Sequence, residues 1–552
     1  MATSSLVAST RAALKESPRE IFNWWLFFNT CVWSFSGVAK GFDEGNIASV
    51  VVMKSFMGKF RLDSLSATEY ANTKGWIVSI ATAGAVFGCL ACSWLTQRLG
   101  RKWTMQVFTV IYMAGILGQT FCNGNLGGLY VSRLISGFGI GGTTVLPSIY
   151  ISEIAPAPIR GLLTLQYACC QQLGVVFGFF FNYGITRHHQ DTQLQWQLPT
   201  GLQLLPAVMW GLGICFCPES PRFLLASNQP SEALRVLAGL RGLPEHHQYV
   251  QAEFHGTEQQ LNHEMEAVAG ASQLDLLSET FSNLENRRRF VLMFMAHLFA
   301  QWSGANAITQ YSPTIFGYLG IGGEQETFLA TGIYAIVKFT STLLVAVFVI
   351  DFIGRRRSLM TGIMLQITTL TFVGAYLGVT TGLSASDVAS SPSASAASVA
   401  SIVAIYLHAV AWSMGWFSIP YLVSAEVFPL RIRGLCVSLL MAAHWAFYFA
   451  CSRAMPSLLV ATHRYGAFAF FASICATSLA YVFVAMPETS GRSLESMDRL
   501  FQRPWYTVFK VAYPRPEDLA ASQYSRQEND SDGIDCAAEK SSPKVNHVES
   551  AP

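Results

Sequence analysis

The chain has 552 residues, 51% of them hydrophobic and only 13% charged, and its mean hydropathy is +0.34. So apolar and charge-poor a composition excludes an ordinary soluble protein and indicates a polytopic membrane protein. The formal net charge of +2, with no basic run longer than Arg287 to Arg289 or Arg355 to Arg357, argues against a nucleic-acid partner.

Met1 to Glu20 is polar and lacks the apolar stretch of a cleaved signal, so the first span is expected to start insertion. A span needs about 20 apolar residues. Twelve runs qualify, near 24–53, 75–95, 104–122, 127–150, 162–184, 201–217, 290–316, 327–350, 359–379, 400–424, 435–460 and 466–486. The first contains Lys40, Asp43 and Glu44. An ionisable group at bilayer depth costs roughly 2.5–3.5 kcal/mol on insertion scales, so it normally faces protein or a water path and finds a partner. Lys40 and Glu44 are four apart, which predicts a local helix pair that neutralises both. Lys54, Lys59, Arg61 and Lys74 then fall in an outer loop. The polar stretch 218–289 divides the runs six and six, and its patterns at 232–240 and 259–268 read as short amphipathic helices. The expected organisation is an all-α membrane protein: a segment 1–23, a six-helix half 24–217, the linker 218–289, a second half 290–486 and a tail 487–552. Ser384 to Ser401 reads as a flexible outer loop, and the tail from Pro514 as disordered.

Three motifs recur in the same order in each half. Arg98-Leu-Gly100-Arg101 is answered by Asp351-Phe-Ile-Gly354-Arg355. Glu153, seven residues before Arg160, is answered by Glu426, seven before Arg433. Pro218-Glu219-Ser220 is answered by Pro487-Glu488-Thr489. Equal order after six spans predicts parallel halves related by an axis along the membrane normal. All six motifs then share one side, which the positive-inside rule makes cytosolic together with both termini. At helix ends, Arg101, Arg160, Arg355 and Arg433 can pair with Glu153, Glu426 and Asp351, a set expected to tie the halves together in one state and to break in another.

The twelve cysteines lie mostly within apolar runs, and Cys89-Leu-Ala-Cys92 has no second pair or histidine at zinc spacing. They read as small core residues, so no metal is expected. No catalytic constellation is visible and no phosphate-binding glycine loop follows a strand, so neither an enzyme nor a cofactor is expected.

The paired Gly-Arg loops, Pro218-Glu219-Ser220-Pro221-Arg222, Pro487-Glu488-Thr489-Ser490-Gly491-Arg492 and the run Ser303-Gly304-Ala305-Asn306-Ala307-Ile308-Thr309-Gln310-Tyr311-Ser312-Pro313-Thr314 resemble the sugar porter family of the major facilitator superfamily, over about residues 20–505. The last run, with Thr331 to Lys338, looks like the fungal branch that includes quinate permeases. That resemblance implies a midplane cavity lined by the fifth, seventh, eighth, tenth and eleventh spans. Its candidates here are Gln171, Gln172, Gln301, Asn306, Gln310, Tyr311, Lys338, Tyr421, His444 and Trp445. Side-chain amides donate and accept, as hydroxyl ligands require, and Asn306 and Gln310 share a helix face. The chain departs from the pattern where Ala300 and Ala168 replace glutamines, Tyr421 replaces tryptophan, His444 replaces asparagine and Gln97 replaces aspartate. Lys338 lies thirteen residues before Asp351, about 20 Å along a helix, too deep to snorkel, and suits an anionic substrate or a structural role. The resemblance also implies a proton-coupling pair between the first and fourth spans, matched by Asp43 and Arg133, whose making and breaking loads and releases a proton. The expected function is proton-coupled symport of a sugar, polyol or quinate-like hydroxy acid by alternating access, in the plasma membrane. A proton-independent facilitator, an exporter of a secondary metabolite and a transporter-like nutrient sensor are the alternatives. The expected partners are a polyhydroxylated small molecule, protons and the lipid bilayer.

Overall fold

The computed structural model describes residues 18–156, 159–345, 353–381, 391–489, 500–502 and 504–513. Asp351, residues 382–390 of the expected outer loop and the tail from Pro514 lie outside the described residues.

Every regular element described is a helix. Nine of the described segments are long and apolar enough to cross a membrane. One of these, Ala67–Thr120, supplies both the second and third spans: it opens on a capping box between Ser66 and Glu69 and breaks at Gly100, whose φ of 82° is left-handed. The first span is split at Ser36 into Trp24–Phe35 and Gly37–Val50. The seventh is split at Gly304, with φ 88°, into Leu284–Trp302 and Ala305–Tyr318. These two complete a twelve-helix bundle. The others are Leu126–Ile154, Arg160–His188, Leu194–Phe216, Glu324–Leu344, Arg355–Val379, Pro392–Ser424, Leu430–Ala461 and Tyr465–Ala485.

Two expectations need correction. The tenth span starts at Pro392, inside the stretch read as a flexible loop, because Pro at a helix start followed by small residues is compatible with helix. Lys74 is not in a loop either. It is buried in the second span, where its ammonium donates to Thr314 Oγ1 of the seventh at 2.7 Å. In the linker the two amphipathic patterns are helices, Pro230–Arg241 and Gln248–Val268, and a third, Gln273–Ser282, joins them. Buried Arg241 donates to Glu253 at 2.5 Å and to the Ile154 carbonyl at 2.8 Å, while Arg431 of the eleventh span bonds Glu279 at 2.8 Å. The linker thus touches both halves.

Small residues set how closely the spans approach. A Cβ on Gly137 would fall 1.9 Å from the Ala81 carbonyl oxygen, and one on Gly84 2.2 Å from that of Leu134, so the second and fourth spans pack backbone to backbone. Gly41 is as tight against the fifth span, its Cβ position 1.8 Å from the Gln171 carbonyl. Gly161, by contrast, has open space. Overpacking costs about 1–3 kcal/mol where neighbours can shift, and backbone cannot. Gly137→Val is therefore expected to abolish the monodisperse size-exclusion peak in detergent, and Gly161→Ala to keep it; an intact peak for Gly137→Val would refute this packing.

Candidate functional site

These close approaches bring Asp43 and Arg133 together. Arg133 is 1% exposed and Asp43 5%. Nη1 donates to Asp43 Oδ1 at 3.2 Å and Nη2 to Oδ2 at 3.3 Å, a two-pronged pair. The same guanidinium also donates to Gln119 Oε1 at 3.2 Å and to the Val78 carbonyl at 3.3 Å. Four hydrogen bonds replace the water that burial removed.

Lys40 and Glu44 do not form the expected helix pair. Tyr448 of the eleventh span donates its hydroxyl to Glu44, and the Lys40 ammonium lies 4.7 Å from the Trp445 ring centroid and 6.0 Å from that of Tyr448. Both charges reach across to the opposite half, the Lys40 ammonium to two aromatic faces and the Glu44 carboxylate to the Tyr448 hydroxyl. A small cavity lies among Lys40, Asp43, Glu44, Gln310, Trp445 and Tyr448. The charges of the first span and two of the expected substrate residues therefore share one space.

The substrate candidates fall into four sets. Gln301, Asn306, Tyr421 and His444 form one connected cluster: Asn306 Nδ2 donates to Gln301 Oε1 at 2.8 Å, and His444 Nε2 lies 2.8 Å from Gln301 Nε2 and 2.7 Å from the Tyr421 hydroxyl. Gln310 accepts from Ser452, whose carbonyl accepts from the Tyr311 hydroxyl at 3.0 Å. Gln171 and Gln172 sit on the fifth span, and both polar atoms of buried Gln172 have no hydrogen-bond partner among the described residues. Lys338 stands apart. Its ammonium, 1% exposed, donates to Thr309 Oγ1 at 3.0 Å and lies 4.4 Å over the Trp412 ring. Sequence reading passed over Thr309, Trp412, His297 and Ser424; only their spacing from Asn306, Lys338, Gln301 and Tyr421 could have pointed to them.

At the motif ends, Arg101 bonds Glu153 through two nitrogens at 2.9 and 2.7 Å, and Arg355 pairs with Glu426. Each pair lies within one half, so neither ties the halves together as expected. Arg433 donates to the Phe428 carbonyl at 2.9 and 3.1 Å instead of to a carboxylate, and Arg160 is exposed with no ion pair among the described residues. The repeated third motif has a role that sequence reading left unassigned. Glu219 accepts the backbone N–H groups of Arg101 and Lys102, both at 3.0 Å, and Glu488 those of Arg355 and Arg356, both at 3.1 Å. A carboxylate at a helix start satisfies otherwise unpaired donors. Glycine is required there, since a Cβ on Gly100 would lie 2.5 Å from Glu219 Oε2 and one on Gly354 2.8 Å from Glu488 Oε2. Burial pushes the Glu219 carboxyl up, opposed by the N–H groups of Ser220, Lys102 and Arg101 and by the Arg101 charge. Glu219→Ala strands three donors, the N–H groups of Arg101, Lys102 and Ser220, at about 1–3 kcal/mol each where water cannot replace the carboxylate. The melting temperature in detergent is expected to fall by several degrees, and an unchanged value would count against this role.

A bundle of apolar helices with buried charges beside a small cavity defines a multi-pass membrane protein. The chain belongs to the Sugar (and other) transporter family, matching it over residues 29–501. It is 32% identical over 519 residues to a probable quinate permease of Aspergillus niger, covering 93% of this chain and 95% of that one. A quinate permease of Neurospora terricola is 32% identical, with 91% and 94% covered. The fold resembles the xylose transporter XylE from E. coli in a partially occluded inward-open conformation, with a TM-score of 0.71 at 19% identity, over 86% of this chain and 100% of that one. It also resembles a proton:xylose symporter structure bound to 6-bromo-6-deoxy-D-glucose, at 0.69 and 22%, over 86% and 99%.

Proposed function

We propose that the chain is a proton-coupled symporter that imports a polyhydroxylated carboxylic acid of the quinate kind by alternating access of two six-helix halves, 24–217 and 290–486. The observation that carries this reading is the two-pronged Asp43–Arg133 pair beside the cavity that also holds Gln310 and Trp445. While the pair holds, Arg133 neutralises the carboxylate; when it parts in an apolar interior, a proton takes that place. Substrate and proton then act on one space, which is what coupling requires. Trp445 and Tyr448, bound to Lys40 and Glu44, would feel any change in it directly.

The acid is favoured over a neutral sugar by Lys338. An ammonium offers three donors, and this one has a hydroxyl and an aromatic face but no carboxylate at ion-pair distance among the described residues. A bound carboxylate would supply the missing charge. The curated relatives named as quinate permeases support the same class. The motif ends face the cytosol in this reading, with both termini there and the plasma membrane as the site of action.

The test is uptake of quinate and of a neutral polyol in a transporter-deficient cell, with and without a protonophore. Asp43→Asn is expected to abolish accumulation against a gradient and to spare counterflow exchange; accumulation at the wild-type level would remove proton coupling through this residue. Lys338→Met is expected to lower quinate uptake by about tenfold or more, the loss typical of one hydrogen bond to a charged group, with polyol uptake little changed. Equal loss of both would exclude an anion site at Lys338.

A further inference from the structure

At the end of the bundle opposite the repeated motifs, Gln195 opens the sixth span, fully buried and with every hydrogen-bonding position of its amide filled. Its Oε1 accepts from Ser55 Oγ at 2.6 Å and from the Asp191 N–H at 3.2 Å. Its Nε2 donates to Thr186 Oγ1 at 3.3 Å and to Glu324 Oε2 at 3.2 Å. Three of these partners belong to the first half: Ser55 to the short helix Lys54–Lys59, Thr186 to the end of the fifth span and Asp191 to the turn before the sixth. Glu324 starts the eighth span, in the second half. A backbone N–H can only donate, so Asp191 fixes which end of the amide is oxygen, and the nitrogen is held toward Glu324.

The base under Gln195 is tightly knit. Its neighbour Trp196 packs edge-on against Phe56 and Phe60, with ring centroids 5.6 and 5.7 Å away, which fixes the short helix to the sixth span. About a turn deeper, Asn182 donates to Asn46 at 3.1 Å and Asn46 to Thr200 at 3.2 Å, joining the fifth, first and sixth spans. This end of the first half is thus one connected piece, and Gln195 presents a donor from it to the opposite half. On the other side of the bundle, Lys74 donates to Thr314 of the seventh span and Arg453 of the eleventh donates to Asn72. The halves are therefore joined here along two seams.

Building on the transport reading above, in which the motif ends face the cytosol, we propose that Gln195 and Glu324 form a latch that holds the outer face shut and breaks when the cavity opens outward. Separation returns both groups to water, which replaces the lost bond, so the latch is releasable in every cycle. Its polarity is fixed, with a donor on the first half and a charged acceptor on the second. Gln195 is a positioning residue: it touches no substrate and acts through the relative placement of the halves.

The test is hydrogen–deuterium exchange of the full-length protein in lipid nanodiscs, followed at the outer segments 54–62, 186–196 and 320–328 and at the cytosolic segments 97–104 and 431–437. Gln195→Glu sets two carboxylates against each other. It is expected to shift the halves toward the outward-open state by about tenfold or more, the loss typical of one hydrogen bond to a charged group. Exchange then rises at the outer segments and falls at the cytosolic ones. Combining Gln195→Glu with Glu324→Gln again places a donor opposite an acceptor, now with the roles exchanged, and is expected to return both faces to wild-type exchange. The carboxylate at position 195 still accepts from Ser55 and Asp191, and Thr186 turns its hydroxyl to donate, so the bonds within the first half survive in both variants. Glu324→Ala, which leaves those bonds untouched, is expected to give the same reciprocal change in smaller measure. A rise at the outer segments without a fall at the cytosolic ones is local loosening and overturns the proposal, as do a double variant that stays open and wild-type exchange in Glu324→Ala; all three leave the transport reading standing. Wild-type protein that binds neither quinate nor myo-inositol by direct titration overturns the transport reading instead, while the exchange series still decides whether the latch exists.

Discussion

Charge that cannot reach water must be neutralised within the protein, and the central arrangement of this chain follows from that constraint. Arg133 and Asp43 meet it most fully, with two mutual hydrogen bonds and two further acceptors for the guanidinium, whose Nε alone has no partner among the described residues. Such a pair cannot be assembled by side-chain reach alone. It needs the first span drawn against the fifth at Gly41 and the fourth against the second at Gly137, where backbone touches backbone. Glycine placement is thus part of the charge chemistry, because a Cβ at Gly41 or Gly137 would push a charge-bearing helix away from the neighbour it packs on.

The other buried cations meet the constraint less completely, and differently from one another. Lys74 has a hydroxyl and two aromatic rings, Lys40 two rings, and Lys338 a hydroxyl and one ring. Aromatic faces soften a buried positive charge without cancelling it. Lys40 takes both of its rings from the opposite half, and Lys74 takes Thr314 and Tyr311 from there beside Tyr70 of its own half, so their stabilisation depends on the relative position of the halves. Lys338 takes both of its own from the second half, and would keep them through a movement of one half against the other. A charge that travels with its surroundings is suited to hold a ligand, and one that bridges the halves is suited to report their separation.

Much of this was legible in the sequence, for reasons that differ by element. Apolar run length gave the spans because the bilayer thickness imposes it, and the repeated motifs gave the two halves. The Asp43–Arg133 pair was legible only through family resemblance, since residues in the first and fourth spans carry no local signal of contact. Lys74 was misplaced because its surroundings, Ser66 to Lys74, are polar in sequence, while its burial comes from Thr314 and Tyr311 far along the chain. Lys40 and Glu44 were misread for the opposite reason. Helix spacing suggested a local pair, and tertiary partners outcompeted it. Glu219 and Glu488 had a visible signal, the third repeated motif, but its meaning depends on a turn that only coordinates display: Gly100 and Gly354 at positive φ aim two successive N–H groups at one carboxylate.

The departures from the family pattern proved as informative as the matches. Ala300 and His444 replace two amides, and taken singly each removes part of a hydroxyl-binding group. The structure places His297 beside His444, so that an imidazole pair and Gln301 occupy the space where amides were expected. The substitution therefore ties Tyr421 and Asn306 into one connected set of six side chains, from Ser424 through the histidines to Asn306.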